Sequence, residues 1–225
     1  MLTRRLIITT AVAAGAAVVA TTTTATAAVP SSSQLKHALI AKSDLPAGWK
    51  TISTPTPKPS EGGAIPTTLA KCLGVSRTAI TPKALALTVF NQGSSTIDSN
   101  ASSFASKTAA HKAVSLVRSS KFASCTEAFA RKQLASSLPS GGTIKNLTVT
   151  AGKPYAGAAS SVIATVTTTM TVSFDGQDST VQSEGVFIAH GLVLASVEDS
   201  SAGGTVDTTL LDKLGNVLAG RVNKL

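Results

Sequence analysis

Aromatic side chains are scarce in this 225-residue chain, at 4% of the sequence with one Trp and one Tyr. Glycan sites usually stack sugars on aromatic platforms, and this chain has little to offer them. Nucleic acid is also excluded as a partner, because the chain has no Arg-rich stripe interleaved with aromatic residues. Because aromatics are so scarce, we expect the core to be built from Ala, Val, Leu and Ile.

Long apolar runs are absent after the first 20 residues, so the sequence predicts no stable membrane insertion. At the N-terminus, Arg4 and Arg5 precede an uncharged run from Leu6 to Ala20 and a small-residue stretch that ends at Ala27. The run would be roughly 22 Å long as a helix, too short for a good anchor. We predict a secretory signal peptide over residues 1–27 and a secreted, extracytoplasmic protein.

Cysteine occurs only twice, at Cys72 and Cys125. An isolated pair in an oxidising compartment most often forms one disulfide, so we predict that these two residues are joined. The alternative is a reactive thiol or a redox pair, which needs closer spacing or a basic neighbour fixed in space.

Charge is unevenly distributed along the chain, whose formal net charge is +9. Residues 31–153 carry 15 Lys or Arg and 4 Asp or Glu, whereas residues 154–225 carry 3 and 7. The basic part could meet an anionic cell-wall polymer or phospholipid head groups. The alternative is a solvated helix surface whose charge only aids solubility.

Hydrophobic spacing predicts mixed elements followed by a β-meander and a last helix. Helices are predicted over residues 33–41, 108–119, 120–138 and from Val206, with a short turn around Cys72. Strands are predicted over residues 85–91, 96–103, 144–149, 162–174, 181–189 and 192–197, with the tightest turn at Asp175-Gly176. Together these predict an α+β fold: an antiparallel β-sheet with helices packed on one face, a two-layer sandwich.

The predicted organisation is a flexible tail over residues 28–33 and a single domain over residues 34–225. A proline-rich loop interrupts this domain at residues 51–66. Trp49 is expected to pack inward.

The segments ALIAKSDLPAGWK, AKCLG and SSFASKTAAHKAVSLVRSSKFASC carry a resemblance. The chain resembles actinobacterial secreted and cell-envelope proteins, including lipoproteins and the extracellular sensor domain of PknH-like receptor kinases. The resemblance lies in the turn motif, the placement of the two cysteines and the order of the elements. The resemblance implies an α+β extracytoplasmic domain with a cleft for an unidentified ligand. The chain departs from the kinases in having no kinase domain and a single cysteine pair.

No motif predicts a catalytic, cofactor or metal site. The three histidines, His37, His111 and His190, are far apart in sequence, and a Gly-x-Ser-x-Gly motif is absent. The acidic residues of the C-terminal part lack the spacing of a calcium loop, and we interpret them as ordinary turn and strand-end acids. These residues are Asp175, Asp178, Glu184, Glu198 and Asp199.

The leading hypothesis is therefore an exported, non-enzymatic domain that binds an unidentified ligand or envelope partner between sheet and helices. One alternative is a secreted serine-type hydrolase that uses Ser and His near the strand ends. Another is a basic module that adheres to anionic cell-wall polymers.

Overall fold

The computed structural model describes residues 28–52, 65–138 and 141–225. The predicted signal peptide and most of the proline-rich loop lie outside these residues. The helices are α1 (Ser32–Ala38), α2 (Thr67–Leu73), α3 (Lys107–Val117), α4 (Ser120–Ser137) and α5 (Thr208–Val222). The strands are β1 (Lys50–Ile52), β2 (Ala84–Gln92), β3 (Ser95–Ser103), β4 (Thr143–Gly152), β5 (Val162–Phe174), β6 (Gln177–His190) and β7 (Val193–Ala202).

The seven strands form one antiparallel sheet in the order β1-β2-β3-β7-β6-β5-β4. The hairpin β2-β3 and the meander β4-β5-β6-β7 meet where β3 pairs with β7. The turns between strands use positive φ angles, at Gly93 in the first hairpin and at Asp175 and Gly176 in the β5-β6 turn. The α+β class predicted from the sequence is confirmed.

Helices cover both faces of this sheet, which corrects the predicted two-layer arrangement. On one face, Val193, Ala195 and Val197 of β7 pack in a core with α1 and α5. On the other face, Leu194 and Phe187 pack in a core with α2, α3 and α4. Alternation along a strand predicts one apolar and one polar face. At the centre of this sheet both faces carry apolar residues, so helices are needed on both sides to bury them.

The N-terminal region also differs in detail from the prediction. The first helix ends at Ala38 instead of Ala41 and begins at Ser32, inside the segment predicted to be a tail. Ser31 caps it, because its hydroxyl accepts the Gln34 N–H and the Gln34 side chain accepts the Ser31 N–H. The Ser103 hydroxyl also donates to the carbonyl of Pro30 at 2.7 Å, which ties this segment to β3.

A short edge strand, β1, replaces the start of the predicted loop 51–66. Lys50, Thr51 and Ile52 pair with the end of β2. The adjoining Trp49 is 6% exposed and packs in the core beside α1 and α5, as expected. Three residues are too few to give a strand signal from alternation, so the pairing was not visible in the sequence.

Candidate ligand-binding site

A polar strip interrupts the apolar centre of the sheet on the α2–α4 side. The register places Asp98 of β3 opposite Glu198 of β7, and Glu198 opposite Gly185 of β6. In the neighbouring row, Asn100 lies opposite Ser196, and the Asn100 Nδ2 donates to the Ser196 Oγ at 2.8 Å. Directly opposed residues have Cβ atoms roughly 5 Å apart, so the two carboxylates are close neighbours.

Gly185 lies directly beside the Glu198 side chain. A Cβ at position 185 would lie 3.7 Å from the Glu198 Cβ and 3.6 Å from the Phe187 ring. The Phe187 ring in turn makes an edge contact with Phe122 of α4, with ring centroids 6.3 Å apart. Glu198 therefore shares its face with the α2–α4 core, and the strip begins where that apolar core ends.

Burial changes the ionisation of both carboxylates. Asp98 and Glu198 are half-buried. Burial raises the pKa of Asp98 to about 6. The pKa of Glu198 is raised to about 7, by burial first and then by the charges of Asp98 and Asp199, although a hydrogen bond from Ser183 opposes the shift. Two adjacent carboxyls resist ionising together, so the pair binds a proton near neutral pH.

The described segments 28–52, 65–138 and 141–225 provide no Lys or Arg in an ion pair with either carboxylate. A strip of this kind favours a ligand group that is positively charged or donates hydrogen bonds, because such a group neutralises the repulsion between the carboxylates. Asn100, Ser183 and Ser196 add donors and acceptors beside the pair.

A second group of acids lies on the opposite face, and its role is structural. Asp199 is 3% exposed, and its Oδ2 accepts the backbone N–H of Asp207 at 3.1 Å. Asp207 is the N-cap of α5, where its Oδ1 accepts the Leu210 N–H at 2.9 Å. Glu184 pairs in register with Asp199, and its pKa is raised by burial and by Asp212 of α5. Asp199 and Asp207 thus position the start of the last helix.

The described residues contain no group of three or more His, Cys, Asp or Glu side chains arranged to hold a metal ion. The three histidines lie at the surface, His37 on α1, His111 on α3 and His190 at the end of β6. Within the same three segments of chain, no serine hydroxyl is hydrogen-bonded to a histidine ring. The structure therefore brings none of the histidines into a nucleophilic arrangement.

The acids predicted at the β5-β6 turn belong to that turn. Asp178 forms an exposed ion pair with Lys145 of β4 at 2.7 Å, and hydrogen bonds from Lys145 and Ser173 lower the pKa of its carboxyl. Asp175 adopts a φ of +50° in the turn itself. Of the candidate acids, only Glu198 lies in the polar strip, and its partner Asp98 was missed by the sequence analysis. An Asp inside a strand is unusual, which is the signal that could have identified it.

The predicted disulfide is present: Cys72 of α2 is bonded to Cys125 of α4. It joins two helices of the layer that borders the strip. Among residues 28–52, 65–138 and 141–225, no helix is both long and apolar enough to cross a bilayer.

Comparison with known proteins gives a structural similarity but no sequence match. No protein-family model matches the chain, and no curated protein matches it by sequence. Its fold is similar to that of the extracellular domain of PknH from Mycobacterium tuberculosis, at 12% sequence identity and a TM-score of 0.49. The match covers 88% of this chain and 99% of that domain. It is a distant similarity of structure only.

Proposed function

We propose that this chain is an exported, non-enzymatic domain that binds a ligand carrying a primary amine or another cationic group in the polar strip. The observation that carries the proposal is the half-buried pair Asp98 and Glu198, directly opposed on β3 and β7. An isolated, exposed acid on a strand would be fully hydrated. Asp98 and Glu198 instead lie side by side and partly out of water, and this arrangement is destabilising unless a bound ligand offsets it.

Export is supported by two independent features. The N-terminal leader has the charged, apolar and small-residue regions of a signal peptide. The disulfide between Cys72 and Cys125 is of the kind that persists in an oxidising compartment.

The neighbouring polar groups support recognition of a ligand beyond a simple charge. Asn100 uses one amide hydrogen on Ser196 and keeps a second donor and its carbonyl acceptor. Ser183, on the adjoining strand, lies beside Glu198. An amine with a nearby hydroxyl or carbonyl group would match this set of partners.

The proposal is tested by titrating the purified protein with 1,5-diaminopentane in a calorimeter from pH 5.5 to 8. We expect binding to strengthen as pH rises through the range where the pair releases its proton, and to be lost in Glu198→Gln and Asp98→Asn. Glu184→Gln is the matched control, because Glu184 is a half-buried strand carboxylate in the neighbouring row, opposite Asp199, on the other face of the sheet. Equal losses in Glu198→Gln and Glu184→Gln would contradict the proposal.

The hydrolase alternative is tested on the same preparations. A fluorophosphonate probe is expected to leave the protein unlabelled. Labelling that disappears in His190→Ala would replace the binding proposal with a serine-type hydrolase.

A further inference from the structure

The α2–α4 side of the domain has a strongly basic outer surface. The helical layer, defined here as α2, the following 3-10 turn (Arg77–Ile80), α3 with its C-cap Arg118, and α4, contains a single acidic residue, Glu127. Its basic residues are eight in number: Lys71, Arg77, Lys107, Lys112, Arg118, Lys121, Arg131 and Lys132. Seven of these are exposed and Lys112 is half-buried.

The acidic residue does not neutralise this surface. Glu127 pairs with Arg131 within the same helix at 3.2 Å, an i, i+4 contact. Arg118 is also engaged, since its Nε donates to the carbonyl of Ile163 on β5. Within the described parts of the chain, the other six basic residues form no ion pair, and all of them except the half-buried Lys112 are exposed to solvent.

The spacing of these residues places them in rows. Lys121 and Lys132 of α4 are 11 residues apart, close to three full turns, so they lie on the same side of the helix about 16 Å from one another. Lys107 and the C-cap Arg118 of α3 have the same spacing, and the Arg118 Nε is bonded to the carbonyl of Ile163. Rows of positive charge at this separation suit an extended, repeating anion better than a single small one.

The surface lacks the apolar residues that a lipid membrane would need. Peripheral membrane elements insert large apolar side chains below the head groups. The large apolar side chains that are exposed in the described residues are Val29, Phe174 and Leu225, and none belongs to the helical layer. The charge is therefore presented without an insertion anchor, which favours a hydrated polymer as the partner.

We propose that the helical layer docks on an anionic polymer of the cell envelope, through ion pairs between its Lys and Arg side chains and repeating phosphate or carboxylate groups. This surface lies on the outside of the helices, whereas the Asp98–Glu198 pair lies on the sheet, where the apolar core under those helices ends. The two sites have opposite charge and bind independently, so this proposal does not depend on the amine ligand. Docking by this surface would hold the domain at the cell wall.

The experiment uses long-chain polyphosphate as the probe and compares two triple variants. In the first, Lys107, Lys121 and Lys132 of the helical layer are changed to Glu. Two of these positions lie in the first turns of α3 and α4, where an acid complements the helix dipole, so the variant is expected to fold. In the control, Lys36, Lys213 and Lys224 on the α1–α5 side are changed to Glu, which alters net charge by the same amount.

We expect the wild-type protein to bind polyphosphate with an affinity that falls linearly on a log–log plot against salt. The helical-layer variant should lose at least about tenfold in affinity and show a shallower salt slope, whereas the control should lose less than about threefold. Thermal melts establish that each variant is folded at the assay temperature.

Three results would overturn the proposal. The first is equal loss in the two variants, which would mean that net charge alone matters. The second is an absence of binding at low salt. The third is tighter binding to phosphatidylglycerol vesicles than to polyphosphate, which would assign the surface to a lipid membrane.

Discussion

Arg221 of α5 holds Asp44 in a two-pronged ion pair, with both guanidinium–carboxylate distances at 2.8 Å. The same guanidinium donates to the carbonyl of Leu39 at 2.7 Å. The contact joins the last helix to the first turns of the domain across a sequence separation of 177 residues. Asp44 is 13% exposed, so the pair is largely shielded from water.

Loss of this contact should destabilise the fold. We expect Arg221→Ala to lower the free energy of unfolding by about 1–3 kcal/mol, since it leaves a shielded carboxylate and a carbonyl without their donor. Lys145→Ala, which breaks an exposed surface pair with Asp178, is the control and should have a much smaller effect, because solvent screens that pair. Urea unfolding at pH 7 measures the loss of stability in each variant. Similar losses would show that the ion pair of Arg221 with Asp44 contributes no more than a surface pair.

The ion pair between Asp44 and Arg221 also makes the stability of the fold depend on pH in the acid range. Burial alone would raise the pKa of Asp44, but the hydrogen bonds from Arg221 and from the Ala41 N–H lower it below its ordinary value. A lowered folded-state pKa contributes stability above the unfolded value of 3.8, and this contribution is lost as pH falls through the folded value. The difference in stability between Arg221→Ala and wild type should therefore be largest at pH 7 and should shrink as pH falls below 3.8.

The carboxylate pair in the strip should make the protein less stable as pH rises toward neutrality, the opposite of the effect of Asp44. The pKa of Glu198 rises from its ordinary 4.5 to about 7, so the folded state binds a proton that the unfolded state has released. Stability contributed by that proton is present below about pH 4.5 and lost as pH rises to about 7. Glu198→Gln should thus stabilise the protein at pH 8 by about 1–2 kcal/mol and leave it unchanged near pH 4.

Melting temperatures measured across this pH range check the prediction. Glu127→Gln, in the helical layer, is the comparison and should keep the wild-type dependence of stability on pH, because it leaves Asp98 and Glu198 in place. If the wild type is equally stable at pH 5 and pH 8 in the absence of ligand, the pair is not desolvated as the structure has it.

The disulfide should contribute a large part of the stability. It closes a loop across a sequence separation of 53, which corresponds to roughly 4 kcal/mol in the chain-entropy treatment. The double variant Cys72→Ser, Cys125→Ser should melt well below the wild type, and reductant should lower the melting temperature of the wild type alone. Two alkylatable thiols in the native protein would contradict the bond itself.

Two glycines of α5 should respond to alanine in opposite directions. A Cβ at Gly215 would lie 2.8 Å from the Tyr155 hydroxyl and 3.1 Å from the Val186 Cγ1, whereas one at Gly220 would meet nothing within 4 Å. Gly215→Ala should therefore destabilise by about 1–3 kcal/mol through overpacking. Gly220→Ala should stabilise by about 0.5–1 kcal/mol, because alanine is the better helix former. Chemical unfolding of both variants provides the measurement, and the same sign for both would refute the close approach at Gly215.

Local signals were enough for much of the fold. The alternation along β5, the Asp175-Gly176 turn and the apolar stripe of α5 each depend on residues close in sequence, and each appears where it was predicted. The disulfide could be predicted because the chain contains only two cysteines, which leaves a single possible pairing. The basic character of residues 31–153 was likewise a matter of counting.

The strip could be predicted only in part. Glu198 was one of several acids near a strand end, and no local signal connected it to Asp98, which lies far from it in the sequence. Their contact depends on β3 pairing with β7 in one register, and a shift by one residue would send the two side chains to opposite faces.

By itself, the amino-acid sequence determined the class of the fold, most of its elements and the charge carried by each half. The tertiary structure alone decided which helices lie on which face, where the basic rows point and that Asp98 meets Glu198. The physical reason is that helices, turns and strands respond to neighbours a few residues away, whereas layer order and strand register minimise the free energy of the whole chain.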